Sequence, residues 1–232
     1  MKAMWLAVVA MLGVGGMVQA QTMAKDDAER VQKAAEVVRA LRGAPDNGIP
    51  DELFSKANCV VVMTGVKKAA LGIGGEYGKG VMSCRTADAW SAPVFMQLAK
   101  GSVGFQIGAQ ATDLVLLVMN KDGIEKMLND KVTLGADLSV AAGPVGRTGA
   151  AATDARLNAQ ILSYSRSRGL FAGIDLSGGM LRPDKDANVK AYGAGVAPIT
   201  VVQGNAVAVP VTARVLVDAL GTTGVRATTG VR

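Results

Sequence analysis

The sequence predicts a single compact α+β domain, with a mostly antiparallel curved sheet or partial barrel and three to four flanking helices. The length of 232 residues suits one domain of moderate size. Roughly seven to ten short apolar segments follow one another through short connections, which favours antiparallel pairing. Half of the residues are hydrophobic but only 4% are aromatic, and 29 are glycines. We therefore expect an aliphatic core in which glycines mark bulges and close backbone approaches.

The first segment, residues 1–20, has the features of a secretory signal peptide. Lys2 supplies a minimal positive charge, and Met4 to Val14 form an apolar run that is too short to cross a bilayer comfortably. Small residues then precede a cleavage site after Ala20. We expect a mature domain over residues 21–232 and a periplasmic or secreted location. An uncleaved N-terminal anchor is the alternative.

The chain has two cysteines, Cys59 and Cys84. Export would place them in an oxidising compartment, where they can pair. Closing a loop of this length stabilises a fold by ~3.5 kcal/mol in the chain-entropy model. The alternative is two buried, reduced thiols.

The clearest predicted helix covers residues 24–42. Its apolar residues recur at spacings of three and four, its acidic residues lie in the first turns, and Arg39 and Arg42 lie in the last turn before Gly43. The helix is rich in alanine and poor in large apolar residues, so we expect it to pack onto the domain rather than lie on a membrane. The apolar positions are Ala24, Ala28, Val31, Ala35, Val38 and Leu41.

The stretch between the two cysteines predicts a strand, a turn and a glycine-rich strand. A β-branched run follows Cys59, Lys67 and Lys68 mark the expected turn, and glycine then recurs until Cys84. The remaining predicted strands are 94–98, 103–109, 114–119, 132–142 and 159–168, with a hairpin over 199–203 and 206–211. The remaining predicted helices are 49–57, 122–129 and 212–220, with a capped helical turn over 184–192 and a frayed tail over 222–232.

Several classes of catalytic and binding site are excluded by composition and spacing. The chain has no histidine, which excludes Ser-His-Asp and Cys-His catalysis and, with two cysteines, a structural zinc site. The glycine-rich strand does not match a phosphate-binding loop, because Ile73 and Gly80 occupy positions where that motif needs glycine and Ser or Thr. We predict no catalytic residue, no metal site and no cofactor.

The charge of the chain is mildly basic. The formal net charge is +6, and removal of Lys2 with the signal leaves 24 basic against 19 acidic residues, or +5. This balance is compatible with an anionic partner but lacks the dense basic stripe of a nucleic-acid-binding protein.

Five basic residues are candidates for contact with an anionic headgroup. Glycines beside lysines let an anion approach backbone N–H groups as well as ammonium groups. The alternative is that these are solvated side chains without a partner. The candidates are Lys67, Lys68, Lys79, Arg166 and Arg168.

Six short segments also occur in a recognisable order along nearly the whole mature chain. They are 72–80 (GIGGEYGKG), 90–93 (WSAP), 101–113 (GSVGFQIGAQATD), 116–120 (LLVMN), 142–146 (AGPVG) and 164–173 (YSRSRGLFAG). Together they resemble the SYLF domain family, also described as the lipid-binding or yeast actin-associated domain. The resemblance implies lipid binding, with phosphoinositides as ligands of eukaryotic relatives and actin as a partner of some fungal ones. An exported chain of bacterial type would meet neither, so the resemblance implies a general anionic-lipid or membrane role.

These observations predict a non-enzymatic periplasmic protein that associates with anionic phospholipid or a membrane surface. One alternative is a hydrolase or transferase of unknown substrate that uses carboxylates or lysine. Another is a structural envelope protein. Nucleic acid, metal and actin are not expected partners.

Overall fold

The computed structural model describes residues 23–44, 48–87, 89–104, 110–146, 158–167, 169–204 and 207–221. The predicted signal segment, Arg168 and the predicted frayed tail lie outside these residues. Six helices occur in the described parts: α1 (Lys25–Arg42), α2 (Asp51–Lys56), α3 (Asp122–Asn129), α4 (Lys185–Tyr192), α5 (Pro198–Val202) and α6 (Arg214–Leu220). Eight strands form one sheet: β1 (Cys59–Cys84), β2 (Val94–Gly104), β3 (Gln110–Val118), β4 (Val132–Thr133), β5 (Val140–Ala142), β6 (Ile161–Ser167), β7 (Leu170–Gly173) and β8 (Met180–Pro183).

The longest strand, β1, folds back on itself. A straight strand of its 26 residues would be about 85 Å long at 3.3 Å per residue. Instead, the Cα atoms of Cys59 and Cys84 lie 3.9 Å apart, and the two residues form a disulfide. The first half of β1 pairs with β3 and the second half pairs with β2, both antiparallel. The predicted pair of strands and the predicted disulfide are therefore present.

Two glycines let the halves of β1 approach closely. A side chain at Gly80 would overlap the carbonyl oxygen of Val62 and lie 2.7 Å from the Cα atom of Met63. A side chain at Gly78 would lie 3.2 Å from the Cβ atom of Val66. Glycine at these two positions thus has a packing cause, because the backbone at Val62 and Met63 and the side chain of Val66 occupy the space that a side chain would need.

The sheet is curled and covered on both faces. Its order is β4-β8-β2-β1-β3-β6-β5, with β7 also paired to β6, and only the β5–β6 pair is parallel among the pairings described. One core contains residues of α1, α2, α4 and α6, and we call that side of the sheet the α1 face. The other core contains residues of α3 and α5, and we call that side the α3 face. The predicted fold class is confirmed.

The structure corrects three details of the sequence-based prediction. Residues 199–203 lie largely in helix α5 instead of a hairpin strand, with Pro198 at the first helical position. Residues 132–142 form two short strands separated by a turn at Gly135, whose φ of 86° favours glycine. The helices described are six rather than three or four, partly because a short apolar run does not distinguish a strand from a buried helix.

None of these six helices has the length and apolar character needed to cross a membrane.

The disulfide is expected to contribute measurably to stability. Replacing both Cys59 and Cys84 by serine should lower the free energy of unfolding by about 3 kcal/mol, because the cross-link restricts the unfolded chain. Thermal unfolding of the variant, and of the native protein with and without reductant, measures this difference. A thiol assay on the denatured native protein serves as the control. Identical unfolding temperatures for the oxidised and fully reduced protein would contradict the prediction.

Candidate functional site

The two adjacent lysines of β1 lie on opposite faces of the sheet. Side chains alternate along a strand, and Val66 belongs to the core of the α3 face. Lys67 therefore lies on the α1 face and is exposed, whereas Lys68 lies on the α3 face. The Nζ atom of Lys68 is 3.2 Å from Oε1 of Glu76 on the other half of β1. Both lysines are in the strand, whereas the sequence predicted that they lie in a turn.

Lys79 and Arg166 share the α1 face with Lys67. Along β1, buried Val81 belongs to the core of this face, and Lys79 lies two residues before it on the same side of the strand. On β6, Tyr164 belongs to the same core, and Arg166 lies two residues beyond it. The structure thus brings three of the five predicted cations to one face. It places Lys68 on the other face, and Arg168 is outside the described residues.

Two apolar side chains are exposed beside these cations. Tyr77 of β1 is 48% exposed, and Met180 of β8 is 44% exposed. The strand register links them across the sheet, because Tyr77 is opposite Ala99 and Ala99 is opposite Met180. We call this part of the α1 face the basic strip. It consists of Lys67, Tyr77, Lys79, Arg166 and Met180.

Arg166 is held in place by two neighbours. Its Nη1 atom lies 3.4 Å from Oδ2 of Asp113 on the adjacent strand, and its guanidinium lies 6.0 Å from the ring centre of Phe171. Oδ1 of Asp113 accepts a hydrogen bond of 2.9 Å from the backbone N–H of Gly65, where the pairing of β1 with β3 shifts register. Arg166 is therefore an oriented cation, and Asp113 offsets part of its charge.

Lys79 is tied to a buried carboxylate, Asp184. Its Nζ atom is 3.2 Å from Oδ2 of Asp184, and Nη1 of Arg30 in α1 is 3.1 Å from the same oxygen. The other oxygen of Asp184 accepts a hydrogen bond from the backbone N–H of Ala187 and so caps α4. Nη2 of Arg30 is 3.2 Å from Oδ1 of Asp27, which is also buried. Four elements, α1, β1, β8 and α4, therefore meet around one charge cluster at the end of β8.

The two carboxylates of this cluster have pKa values that are shifted in opposite directions. Burial raises the pKa of Asp184, but the neighbouring side chains of Gln97 and Lys79 lower it by more, so that the pKa of Asp184 lies below its usual value. Ionised Asp184 consequently contributes stability above its unfolded pKa, and this contribution is lost as the pH falls through the folded value. Burial raises the pKa of Asp27 more than Arg30 lowers it. Asp27 thus stabilises the fold most when protonated, and that contribution is lost as the pH rises through its folded pKa.

A cleft lies at the sheet edge, next to the charge cluster. It has a volume of about 530 Å³ and is formed by the end of α3, the end of β8, the start of α4 and the segment before α5. Gln97 of β2 and Arg182 of β8 lie on its wall and are opposite each other in the strand register. Lys79 of β1 is opposite Gln97 on its other side, so that the three residues form one row across the sheet. The described residues contain no group of three or more Cys, Asp or Glu side chains placed to hold a metal ion.

Sequence reasoning missed the residues that organise this region. The buried cluster of Arg30 and Asp184 and the exposed pair of Tyr77 and Met180 were not among the candidates. The one available signal was the position of Asp184 before a predicted helix, which is typical of a capping residue. Nothing in the sequence showed that a residue in α1 would reach it from 154 positions away.

Residues 99–223 match the family model Ysc84, described as "Las17-binding protein actin regulator". The SH3 domain-containing protein PJ696.02 of Schizosaccharomyces pombe is 38% identical over 148 residues, which cover 62% of this chain and 34% of that protein. The human SH3 domain-containing YSC84-like protein 1 is 34% identical over 168 residues, covering 69% of this chain and 49% of that protein. LAS seventeen-binding protein 3 of Saccharomyces cerevisiae is 34% identical over 152 residues, covering 64% and 33%. The chain therefore spans about a third to a half of the length of these relatives.

The two buried carboxylates should differ in their importance for stability. Replacing Asp184 by asparagine is expected to lower the free energy of unfolding at pH 7 by about 3 kcal/mol, because Arg30 and Lys79 lose their shared counter-charge. The matched control, Asp27→Asn, is expected to cost less than about 1 kcal/mol, because burial already disfavours its ionised form. Urea unfolding of both variants makes the comparison. Equal losses would show that Asp184 is not the organising charge.

Proposed function

Because the chain belongs to the Ysc84 family, also called the SYLF family, we propose that it is a non-enzymatic periplasmic protein that binds anionic lipid at a membrane surface. The observation that carries the proposal is the basic strip, in which cations and exposed apolar side chains share one sheet face. Las17 and actin are named in the descriptions of the family and of its relatives. They are not carried over to this chain, because the predicted signal peptide would direct it out of the cytoplasm.

The composition of the basic strip is complementary to an anionic bilayer surface. A lysine or arginine close to such a surface contributes about 1 kcal/mol of binding free energy. Tyrosine is favoured at the membrane interface, where its ring contacts the acyl region and its hydroxyl remains hydrated. Met180 offers a flexible apolar side chain beside it. One face of the sheet thus combines electrostatic attraction with a limited apolar contact.

The cations of the strip remain accessible although some are paired. Lys67 is exposed, and the side chain of Lys79 is 46% exposed even with Asp184 as its neighbour. Asp184 shares its charge with Arg30, which lies on the buried side of the cluster. A lipid phosphate approaching Lys79 from solvent would therefore meet a cation that is only partly neutralised.

Helix α1 is an unsuitable lipid contact in this arrangement. Its apolar side is buried against the sheet and against α6, with Val31, Ala35, Val38 and Leu41 all in the core. Exposing that side to a membrane would require α1 to leave the domain and break the contacts of Arg30 with Asp184. The strip is available without any such change.

The carboxylates that the structure brings together support a structural role rather than catalysis. Asp27 and Asp184 both contact Arg30, and Asp184 also forms an ion pair with Lys79 and accepts a hydrogen bond from the backbone N–H of Ala187. A catalytic acid–base pair needs a carboxylate within reach of a substrate. Both carboxylates are instead buried and occupied by protein donors.

Vesicle co-sedimentation of the mature chain tests the role of the strip, with phosphatidylglycerol-containing and pure phosphatidylcholine vesicles. Replacing Lys67 by glutamine should reduce partitioning onto the anionic vesicles about fivefold, which corresponds to ~1 kcal/mol for one lost charge. The matched control is Lys68→Gln, which removes the same charge from the next residue but on the opposite face, and it should change partitioning less than twofold. Equal, negligible binding to both kinds of vesicle would overturn the proposal, and equal effects of the two variants would move binding away from the strip.

The proposed location has its own test. Osmotic shock of the producing cell should release the protein without detergent, and its N-terminus should begin at Gln21, because the predicted cleavage follows Ala20. Fractionation followed by N-terminal sequencing measures both. Retention in the cytoplasmic fraction with residues 1–20 intact would contradict a periplasmic location.

A further inference from the structure

The cleft at the end of β8 contains Arg182, which is oriented by a hydrogen bond to a residue of the neighbouring strand. Gln97 of β2 lies between Lys79 of β1 and Arg182 of β8 in one cross-strand row. The amide oxygen of Gln97 accepts a hydrogen bond of 3.1 Å from Nη2 of Arg182. Gln97 thus orients Arg182 beside the charge cluster. Because a guanidinium has five N–H donors, this arrangement leaves most of them for another acceptor.

Two further cations line the same cleft. Lys131 follows the end of α3, and Lys185 is the first residue of α4. Both are exposed, and neither these lysines nor Arg182 forms an ion pair within the described part of the chain. Three cations from three separate elements therefore converge on one concave volume.

The carboxylates of the cleft offset part of this positive charge, because the three cations face Asp130 and Asp186, which leaves one positive charge in excess once Asp184 is paired elsewhere. Asp184 is buried and already neutralised by Arg30 and Lys79. Oδ1 of Asp130 accepts a hydrogen bond of 2.7 Å from the backbone N–H of Lys131, which orients it toward the main chain. Only Asp186, which is exposed, lacks such a partner within the described residues.

The remaining wall of the cleft is partly polar, with Gln97, Asn129 and Asn188, and partly apolar. Leu128, Val189, Val196 and Pro198 line its apolar part, and Val189 is half exposed. The volume of about 530 Å³ falls within the range of small-molecule pockets, which is roughly 300–1,000 Å³. An anionic group near the cations and a short carbon skeleton against this wall would satisfy both parts of the lining.

We propose that this cleft binds a phosphate ester of a small polyol, of the glycerol phosphate type. The phosphate contacts Arg182, Lys131 and Lys185, and the carbon skeleton lies against Val189 and Val196. Arginine suits this task because its planar donors match phosphate oxygens in pairs. The same chemistry occurs in a free glycerol phosphate and in the headgroup of phosphatidylglycerol. If the ligand is the phosphatidylglycerol headgroup, the inference rests on the proposed function. The cleft then binds the headgroup, and the basic strip binds the membrane surface.

Isothermal titration of the mature chain with sn-glycerol 3-phosphate tests the cleft without any membrane, with glycerol as the uncharged comparison. Glycerol phosphate should bind and glycerol should not, and Arg182→Gln should weaken binding about tenfold through the loss of a charge-assisted hydrogen bond. Lys121→Gln, which removes an exposed cation at the other end of α3, is the control and should change the affinity less than twofold. Amide chemical-shift changes in the native protein locate the ligand independently of any variant, and they are expected at residues 185–189.

The titration and the vesicle assay separate the two sources of ligand. Binding of free glycerol phosphate that depends on Arg182 supports a soluble ligand or a headgroup. Failure of the free ligand, with phosphatidylglycerol binding that falls about tenfold in Arg182→Gln but not in Lys121→Gln, supports the lipid headgroup alone. If free glycerol phosphate does not bind and Arg182→Gln does not change vesicle binding, the proposed ligand site in the cleft is overturned. The proposed role of the basic strip is then unaffected. Binding of glycerol phosphate without any vesicle binding supports the cleft and overturns the proposed function.

Discussion

The buried carboxylate of Asp184 is the constraint on which the arrangement of this domain depends. It pairs with Arg30 of α1 and Lys79 of β1, accepts a hydrogen bond from the first turn of α4, and is almost completely shielded from water. A buried charge is tolerated only if its partners are oriented toward it, because its desolvation is costly. The positions of Arg30, Lys79 and Ala187 are therefore coupled, and the elements that hold them meet at one point.

This junction divides the α1 face into a covered and an open part. On the covered side, α1 packs over buried residues such as Val62 and Phe95, and the guanidinium of Arg30 lies 5.2 Å from the ring centre of Phe95. Beyond Lys79 the same face is open and carries Tyr77, Met180 and Lys67. The basic strip adjoins the cluster in which Arg30 of α1 and Lys79 contact Asp184, and the cleft lies where the row of Lys79, Gln97 and Arg182 reaches the sheet edge.

Part of the fold could be predicted because it depends on local patterns. The helix at 24–42 has a clear period and charges suited to its ends, and the paired halves of β1 are marked by a β-branched run, a glycine-rich run and two cysteines. The errors occurred where local patterns are ambiguous. The run at 199–202 is apolar and β-branched, yet it packs as a helix on α3, and the alternation at 132–142 is interrupted by a glycine with positive φ. Tertiary packing decided both cases.

The sequence by itself determined the fold class, the family resemblance, the disulfide partners and the absence of histidine-dependent chemistry. Only the tertiary structure decided which basic residues lie on the same face. Lys67 and Lys68 are adjacent and chemically identical, but the alternation of β1 sends one to an exposed basic surface and pairs the other with Glu76. Arg30 and Asp184 are 154 residues apart, and no local pattern connects them. The grouping of charges depends on strand register and on the fold-back of β1, and both are properties of the whole packed sheet.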